Sequence, residues 1–174
     1  MPLPRFDFMK ALSTSLKTSS GSNLKDLRCT QNAINATAVT FVGVALVDSP
    51  LEHLDLSENA IGVDSMGRRS ASGINSMTMS FASDKCRLVT LNLSENFLGN
   101  EECILISSVL EVMRPLKELD ISFNDVHALG ARHLADALKY NDTLVHLNLG
   151  GNHVQDQGEG GGKRRIGRGG ESNE

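Results

Sequence analysis

The sequence predicts an α/β solenoid, a stack of short units that each supply one strand to a parallel sheet and one helix behind it. Three observations carry this reading. An eleven-position pattern, L-x-x-L-x-L-x-x-N-x-L, stands at residues 116–126, with Ile121 and Val126 as apolar substitutes. The same pattern opens at Leu24, Leu51, Leu88, Leu116 and Leu144, with start-to-start separations of 27, 37, 28 and 28 residues. Behind the second, third and fourth occurrences the apolar residues change from alternation to helical spacing. Self-similarity at such a period marks a repeat array.

Taken in order, the chain begins with Phe8, Leu12 and Leu16 at intervals of four, expected to form a capping helix within residues 1–22 that covers the first strand. The first unit is Leu24, Leu27, Cys29, Asn32 and Ile34. The segment after it holds Thr37, Val39, Thr40, Val42 and Val44, β-branched residues that favour a strand when taken alone. The repeat register nevertheless predicts a helix there. The second unit (Leu51, Leu54, Leu56, Asn59, Ile61) precedes an excess of nine residues over the 28-residue unit, expected as a convex-side loop over 63–73. Ile74, Met77 and Phe81 then resume a helix.

In the third unit (Leu88, Leu91, Leu93, Asn96, Leu98), Asn100 is the expected N-cap, with Glu101 and Glu102 in the first turn. Cys103, Ile106, Leu110 and Met113 make the buried stripe. In the fourth unit Ala131, Leu134, Ala135 and Leu138 fall on one helical face. The fifth unit (Leu144, Leu147, Leu149, Asn152, Val154) supplies a strand and no helix. Residues 155–174 are Gly- and Arg-rich and are expected to be disordered. The repeats therefore occupy 23–154, with no C-terminal cap visible, as expected of a fragment, a truncated gene model or an array completed by a partner.

The pattern has a physical basis. Leu at positions 1, 4, 6 and 11 points inward, and the x-L-x-L stretch alternates as a strand does. Asn at position 9 sits where the chain leaves the strand, and its amide both donates to and accepts from buried backbone groups. Asn32, Asn59, Asn96, Asn124 and Asn152 are accordingly expected to form a buried structural ladder.

With alternating strand and helix in 27–28-residue units, the array resembles the ribonuclease-inhibitor-like class of leucine-rich repeats. The resemblance covers 23–154 and implies a right-handed solenoid, a short horseshoe with a concave parallel sheet and convex helices. It further implies an intracellular setting and work as a protein-binding scaffold. The family also contains Ran GTPase-activating proteins and axonemal components, so GTPase regulation and a cytoskeletal structural role are the alternatives.

Composition narrows the chemistry. The formal net charge is −4, which disfavours nucleic acid as a partner. No apolar run is long enough for a signal peptide or a membrane span. Cys29, Cys86 and Cys103 are odd in number and scattered, as free thiols of a reducing compartment are. A cytoplasmic protein, with cytoskeletal or ciliary association as an option, is expected.

The partner-facing residues are those between the leucines. Position 3 reads Asp26, His53, Thr90, Glu118, His146, and position 5 reads Arg28, Asp55, Asn92, Asp120, Asn148. Position 2 adds Lys25, Glu52, Val89, Lys117 and Val145. This mildly acidic strip suits a protein presenting Lys or Arg. His53, Asp55 and Ser57 project from one strand without an oxyanion donor, so they are not expected to be catalytic. His53 and His146 are three strands apart, about 14 Å, too far to share a metal. No cofactor and no small-molecule substrate are expected.

Overall fold

The computed structural model describes residues 5–17, 23–47 and 49–155. Residues 156–174 of the tail expected over 155–174 and parts of the expected 1–22 cap lie outside them. The elements run α1 Arg5–Lys17, β1 Asp26–Arg28, α2 Ala36–Leu46, β2 His53–Asp55, α3 Ser72–Phe81, β3 Thr90–Asn92, α4 Asn100–Leu110, β4 Glu118–Asp120, α5 Ala128–Leu138 and β5 His146–Asn148. The strands form one sheet in sequence order, and every neighbouring pair is parallel. Leu27, Leu54, Leu91, Leu119 and Leu147 stand in register across it. Columns of the sequence pattern are therefore columns in space.

Each strand is only three residues long, so backbone groups beside the sheet must be satisfied in other ways. At the strand entrance a carbonyl of one unit accepts two N–H groups of the next. Lys25 O takes Glu52 N and His53 N at 2.9 and 2.8 Å, and Lys117 O takes Val145 N and His146 N at 2.8 and 2.9 Å. At the exit the position-9 asparagines take over. Asn124 Oδ1 accepts from Asn96 N and Leu98 N of the preceding unit at 2.9 and 2.8 Å. Its Nδ2 donates to the carbonyls of Leu93, Ile121 and Ser122, each at 3.0 Å. Asn59 repeats this towards Asn32 N, Ile34 N and Cys29 O. Asn96 bonds Ile61 N and Leu56 O, and Asn152 bonds Val126 N and Ile121 O.

Asn32 departs from the expected ladder. It is exposed, and its Nδ2 reaches only its own unit, at Thr30 O, 2.7 Å away. The reason is positional. A ladder asparagine serves the unit before it, and β1 is the edge strand of the sheet.

The core between sheet and helices is aliphatic, with Leu54, Leu56, Leu91, Leu93, Leu119 and Ile121 all at most 2% exposed. The β-branched segment is helical as α2, capped by Asn35 Oδ1 accepting Ala38 N at 2.9 Å. It packs between α1 and α3, and burial on both flanks outweighs its weak propensity. In α1 the inward stripe is Met9, Ser13 and Leu16, buried, with Leu12 half-buried beside them, whereas Phe8 is exposed. A 3.6-residue period favours that set over strict intervals of four. The helix lies against α2 rather than over β1.

Three further details differ from expectation. Gly99 is the N-cap of α4 and Asn100 its first residue, with Gly99 N donating to Glu102 Oε2 at 2.7 Å. Asn100 Oδ1 instead accepts His127 N and Gly130 N at 3.0 and 2.9 Å, so it caps the helix of the following unit. In α5 Ala135 is exposed, and only Gly130 and Leu134 are buried. The loop expected over 63–73 ends at Ala71, and α3 begins at Ser72. Within it Asp64 accepts Met66 N and Arg68 N at 2.8 and 3.0 Å. The Arg68 guanidinium holds the Asp64 carboxyl below its ordinary range. Gly62 passes so close to the next unit that a Cβ on it would lie 2.2 Å from the Phe97 carbonyl oxygen.

All three cysteines are buried in this packing. Desolvation raises the Cys29 and Cys86 thiols, and desolvation with Glu102 nearby pushes Cys103 up to about 12.

Two predictions follow from the ladder and the thiols. Asn124→Ala strands buried donors and acceptors in two units and lowers stability in urea unfolding by about 2–4 kcal/mol. Asn32→Ala, at an exposed site, changes it by less than about 0.5 kcal/mol. For the thiols, a group titrating near 12 is only about one part in ten thousand thiolate at pH 8. Native chain at that pH should label far more slowly with an aromatic disulfide reagent than urea-unfolded chain, and three fast native thiols would contradict the packing.

Candidate functional site: the concave sheet face

Strand parity decides which side chains share a surface. Residues two apart on a strand project to the same face, and the register brings Asp26, His53, Thr90, Glu118 and His146 into one column and Arg28, Asp55, Asn92, Asp120 and Asn148 into the next. Both columns line a single open concavity, His53, Asp55, Glu118 and Asp120 among them. Glu52 and Lys117, expected on this surface, do not line it. Their position 2 lies at the strand entrance, where Glu52 pairs with Lys25 at 2.7 Å, although Val145 at the same position of the last unit does line the concavity. That contact draws the Glu52 carboxyl below its ordinary value.

The position-5 column has a second task that pattern reading missed. Asp55 Oδ1 accepts Ser57 N at 3.0 Å, and Asn92 Oδ1 accepts Ser94 N at 3.0 Å. Asp120 Oδ1 accepts Ser122 N at 2.8 Å, and Asn148 Oδ1 accepts Gly150 N at 3.0 Å. Each side chain thus closes the turn that ends its own strand. The signal was present as Asp or Asn two residues before Ser in three units and before Gly in the last. One carboxylate oxygen of Asp55 and Asp120 is committed to the fold. Only the other faces outward, and in Asp120 it already accepts Asn148 Nδ2 at 2.9 Å.

Charge is unevenly spread along the concavity. Arg28 is the one Lys or Arg among its lining residues. It chelates Asp26 through Nε and Nη2 at 3.2 and 3.1 Å, holding that carboxyl below its ordinary value. Asp55 is its register partner on β2. Glu118 and Asp120 lie further along with His146, and β4 and β5 contribute no Lys or Arg to the lining there.

His53 Nδ1 is 2.9 Å from Thr90 Oγ1, while Asp55 is engaged with Ser57 N. These contacts do not make a nucleophile–base pair. Among the described residues no group of three or more His, Cys, Asp or Glu could hold a metal ion. No described helix is long and apolar enough to cross a membrane.

Comparison with known proteins agrees with this geometry. A family model described as Leucine Rich repeat matches residues 47–66, 112–135 and 140–158. The chain is 35% identical over 94 residues to NACHT, LRR and PYD domains-containing protein 12 of Mus musculus, covering 54% of this chain and 8% of that protein. It is 33% identical over 111 residues to RAN GTPase-activating protein 2 of Arabidopsis thaliana, covering 63% of this chain and 19% of that one. The chain therefore spans less than a fifth of the length of these curated relatives. Among solved structures, Leiomodin-1 Actin-Binding Site 2 shares the fold with a TM-score of 0.66 at 15% identity, over 86% of this chain and 80% of that one. Repeat length, sheet register, asparagine ladder and these matches together make the chain a leucine-rich-repeat protein of the ribonuclease-inhibitor-like class.

Proposed function

We propose that the chain is a non-enzymatic scaffold inside the cell that takes a protein partner on its concave face. The observation that carries the reading is the in-register pair of polar columns lining one concavity, with no Lys or Arg from β4 or β5 beside Glu118 and Asp120. A partner presenting Lys or Arg gains steering and register from such a surface, chiefly through its association rate. Paired strands hold the backbone beneath these side chains in place, so binding orders the side chains alone.

A regulatory role towards a small GTPase is the second reading, favoured by the similarity to RAN GTPase-activating protein 2. In that reading the acidic end of the face engages the GTPase. Added to GTP-loaded Ran, the chain would raise the hydrolysis rate; an unchanged rate removes this reading and leaves the scaffold intact.

The position-5 turn bonds dictate how the scaffold reading is tested. Reversing Asp55 or Asp120 to Lys would remove a turn acceptor together with the charge, whereas Asn keeps the acceptor. The triple variant Asp55→Asn, Glu118→Gln, Asp120→Asn should therefore unfold within a few degrees of the native chain. Its quantitative affinity capture of partners should fall about tenfold at low salt. The helix-side control Glu101→Gln should capture as the native chain does. Equal capture by the triple variant would remove the concave face from the proposal.

A further inference from the structure

The two ends of the stack differ from its concave face and from the rim where strands lead into helices. The sheet runs from β1 to β5 in order, and behind it each helix packs on the next, α1 on α2 through to α5. Within a unit the helix follows its strand, so α2 belongs with β1 and α5 with β4. Among the described residues α1 therefore has no strand in its layer, and β5 has no helix in its own. The helix layer reaches one place beyond the sheet at one end and stops one place short at the other. Such ends are complementary. The strand that α1 of one copy lacks is the strand that β5 of another copy offers.

Backbone groups match across these ends as well. Inside the stack a position-6 N–H donates to the position-5 carbonyl of the next unit, as Leu93 N does to Asp120 O at 2.8 Å. A position-8 N–H donates to the next position-7 carbonyl, as Glu95 N does to Ser122 O at 3.0 Å. The N–H groups at positions 9 and 11 go to the next ladder asparagine. Their counterparts in the last unit, Leu149 N, Gly151 N, Asn152 N and Val154 N, have no acceptor among the described residues. The acceptors they call for stand on the opposite edge, as Arg28 O, Thr30 O and Asn32 Oδ1. Asn32 holds the ladder position, yet it is exposed and its Oδ1 has no partner among the described residues. Unpaired strand edges are templates for another strand.

Side chains agree with the match. A Cβ on Gly130 of α5 would lie 2.8 Å from Asn100 Oδ1 and 3.1 Å from Cys103 Cβ, so Asn100 and Cys103 mark the face that α4 turns to the next helix. On α5 the same places, 28 residues on, are Ala128 and Ala131, followed one turn later by Ala135, which is exposed. At the other end α1 buries Met9, Ser13 and Leu16 and leaves Phe8 56% exposed. A bulky ring against small side chains suits close helix packing. Charge is complementary too. β4 and β5 bring no Lys or Arg to the concavity, whereas the β1 edge carries Lys25 and Arg28. In the register of the stack His146 would stand beside Asp26, and Arg28 two strands from Asp120, with no like charges adjacent.

We propose that copies of this chain stack head to tail, β5 of one pairing in parallel with β1 of the next, so that Asn32 completes the asparagine ladder across the junction. The contact joins two different surfaces, and it therefore propagates beyond two copies. The concave face then runs on from copy to copy, and a short horseshoe gains the length to hold a larger or repeated partner. The junction lies at the ends of the stack, and its test does not depend on partner capture.

The test is sedimentation velocity of the full chain from micromolar to submillimolar concentration, where the mean mass of the native chain should climb past that of two copies. Asn32→Lys sets a donor opposite the N–H groups of Asn152 and Val154, and Ala135→Arg sets bulk and charge on the open face of α5. Both positions are exposed, and circular dichroism verifies that each variant is folded. Each variant alone should associate at least about tenfold more weakly than the native chain. Asn32→Ala, the milder change, should weaken association about tenfold while single copies unfold in urea as the native chain does. Mixed in equal amounts, Asn32→Lys supplies an intact β5 end and Ala135→Arg an intact β1 end. The mixture should form a species of two copies that grows no further. A native chain that stays single, native association that stops at two copies, variants that associate as the native chain does, or a mixture that fails to pair would each overturn the proposal.

Discussion

The fold depends on satisfying, unit after unit, the backbone groups that a three-residue strand leaves behind. A sheet this narrow provides few backbone bonds per unit, and the chain must then turn inside a desolvated layer. Asn59, Asn96, Asn124 and Asn152 resolve this by accepting N–H groups of the preceding unit and donating to its carbonyls. No other small uncharged side chain offers both functions in one planar group except the longer, more mobile glutamine. Because each asparagine spans two units, a shift of one unit against the next would break the ladder. Register is therefore strongly specified, and every surface property inherits it.

The surfaces follow from that register in two ways. On the concave face, columns of polar side chains arise because strand parity and stacking are both enforced. The same residues serve the fold, since the position-5 side chains close their own turns. On the rim, the turn geometry repeats as left-handed backbone at position 8, and what varies between units is the side chain set on it. Glu58, Glu95 and Phe123 share one backbone conformation and present different chemistry. A rigid repeat thus separates the scaffold from the recognition surface it carries.

Much of this was legible in the residues, for reasons that can be stated. Strand positions, inward leucines and the helical stripe of Cys103, Ile106, Leu110 and Met113 are local patterns; the structure buries that stripe and the inward residues of the three middle units, while Leu24 and Val154 in the terminal units are exposed and Leu144, Leu147 and Leu149 half-buried. Even the helix α2 was readable against its β-branched composition, because register carries information from four other units. The misreadings have more than one origin. Phe8 is turned outward by the 3.6-residue period of its own helix, whereas Asn32 and Asn100 fit the local pattern and yet have their environment set by a neighbouring unit. Asn32 has no earlier unit to serve, and Asn100 finds its partners in α5 rather than α4.

The sequence by itself determined the unit boundaries, the inward-facing set and the asparagines, since these recur within a span of eleven residues and need no knowledge of what packs where. Only the tertiary structure decided which positions share a surface, how Arg69 reaches Asp125 across 56 residues, and that two aromatic side chains meet in one rim groove. The physical reason is that periodicity is written along the chain, whereas contacts between units depend on stacking distance, on parity and on whether a unit has a neighbour at all.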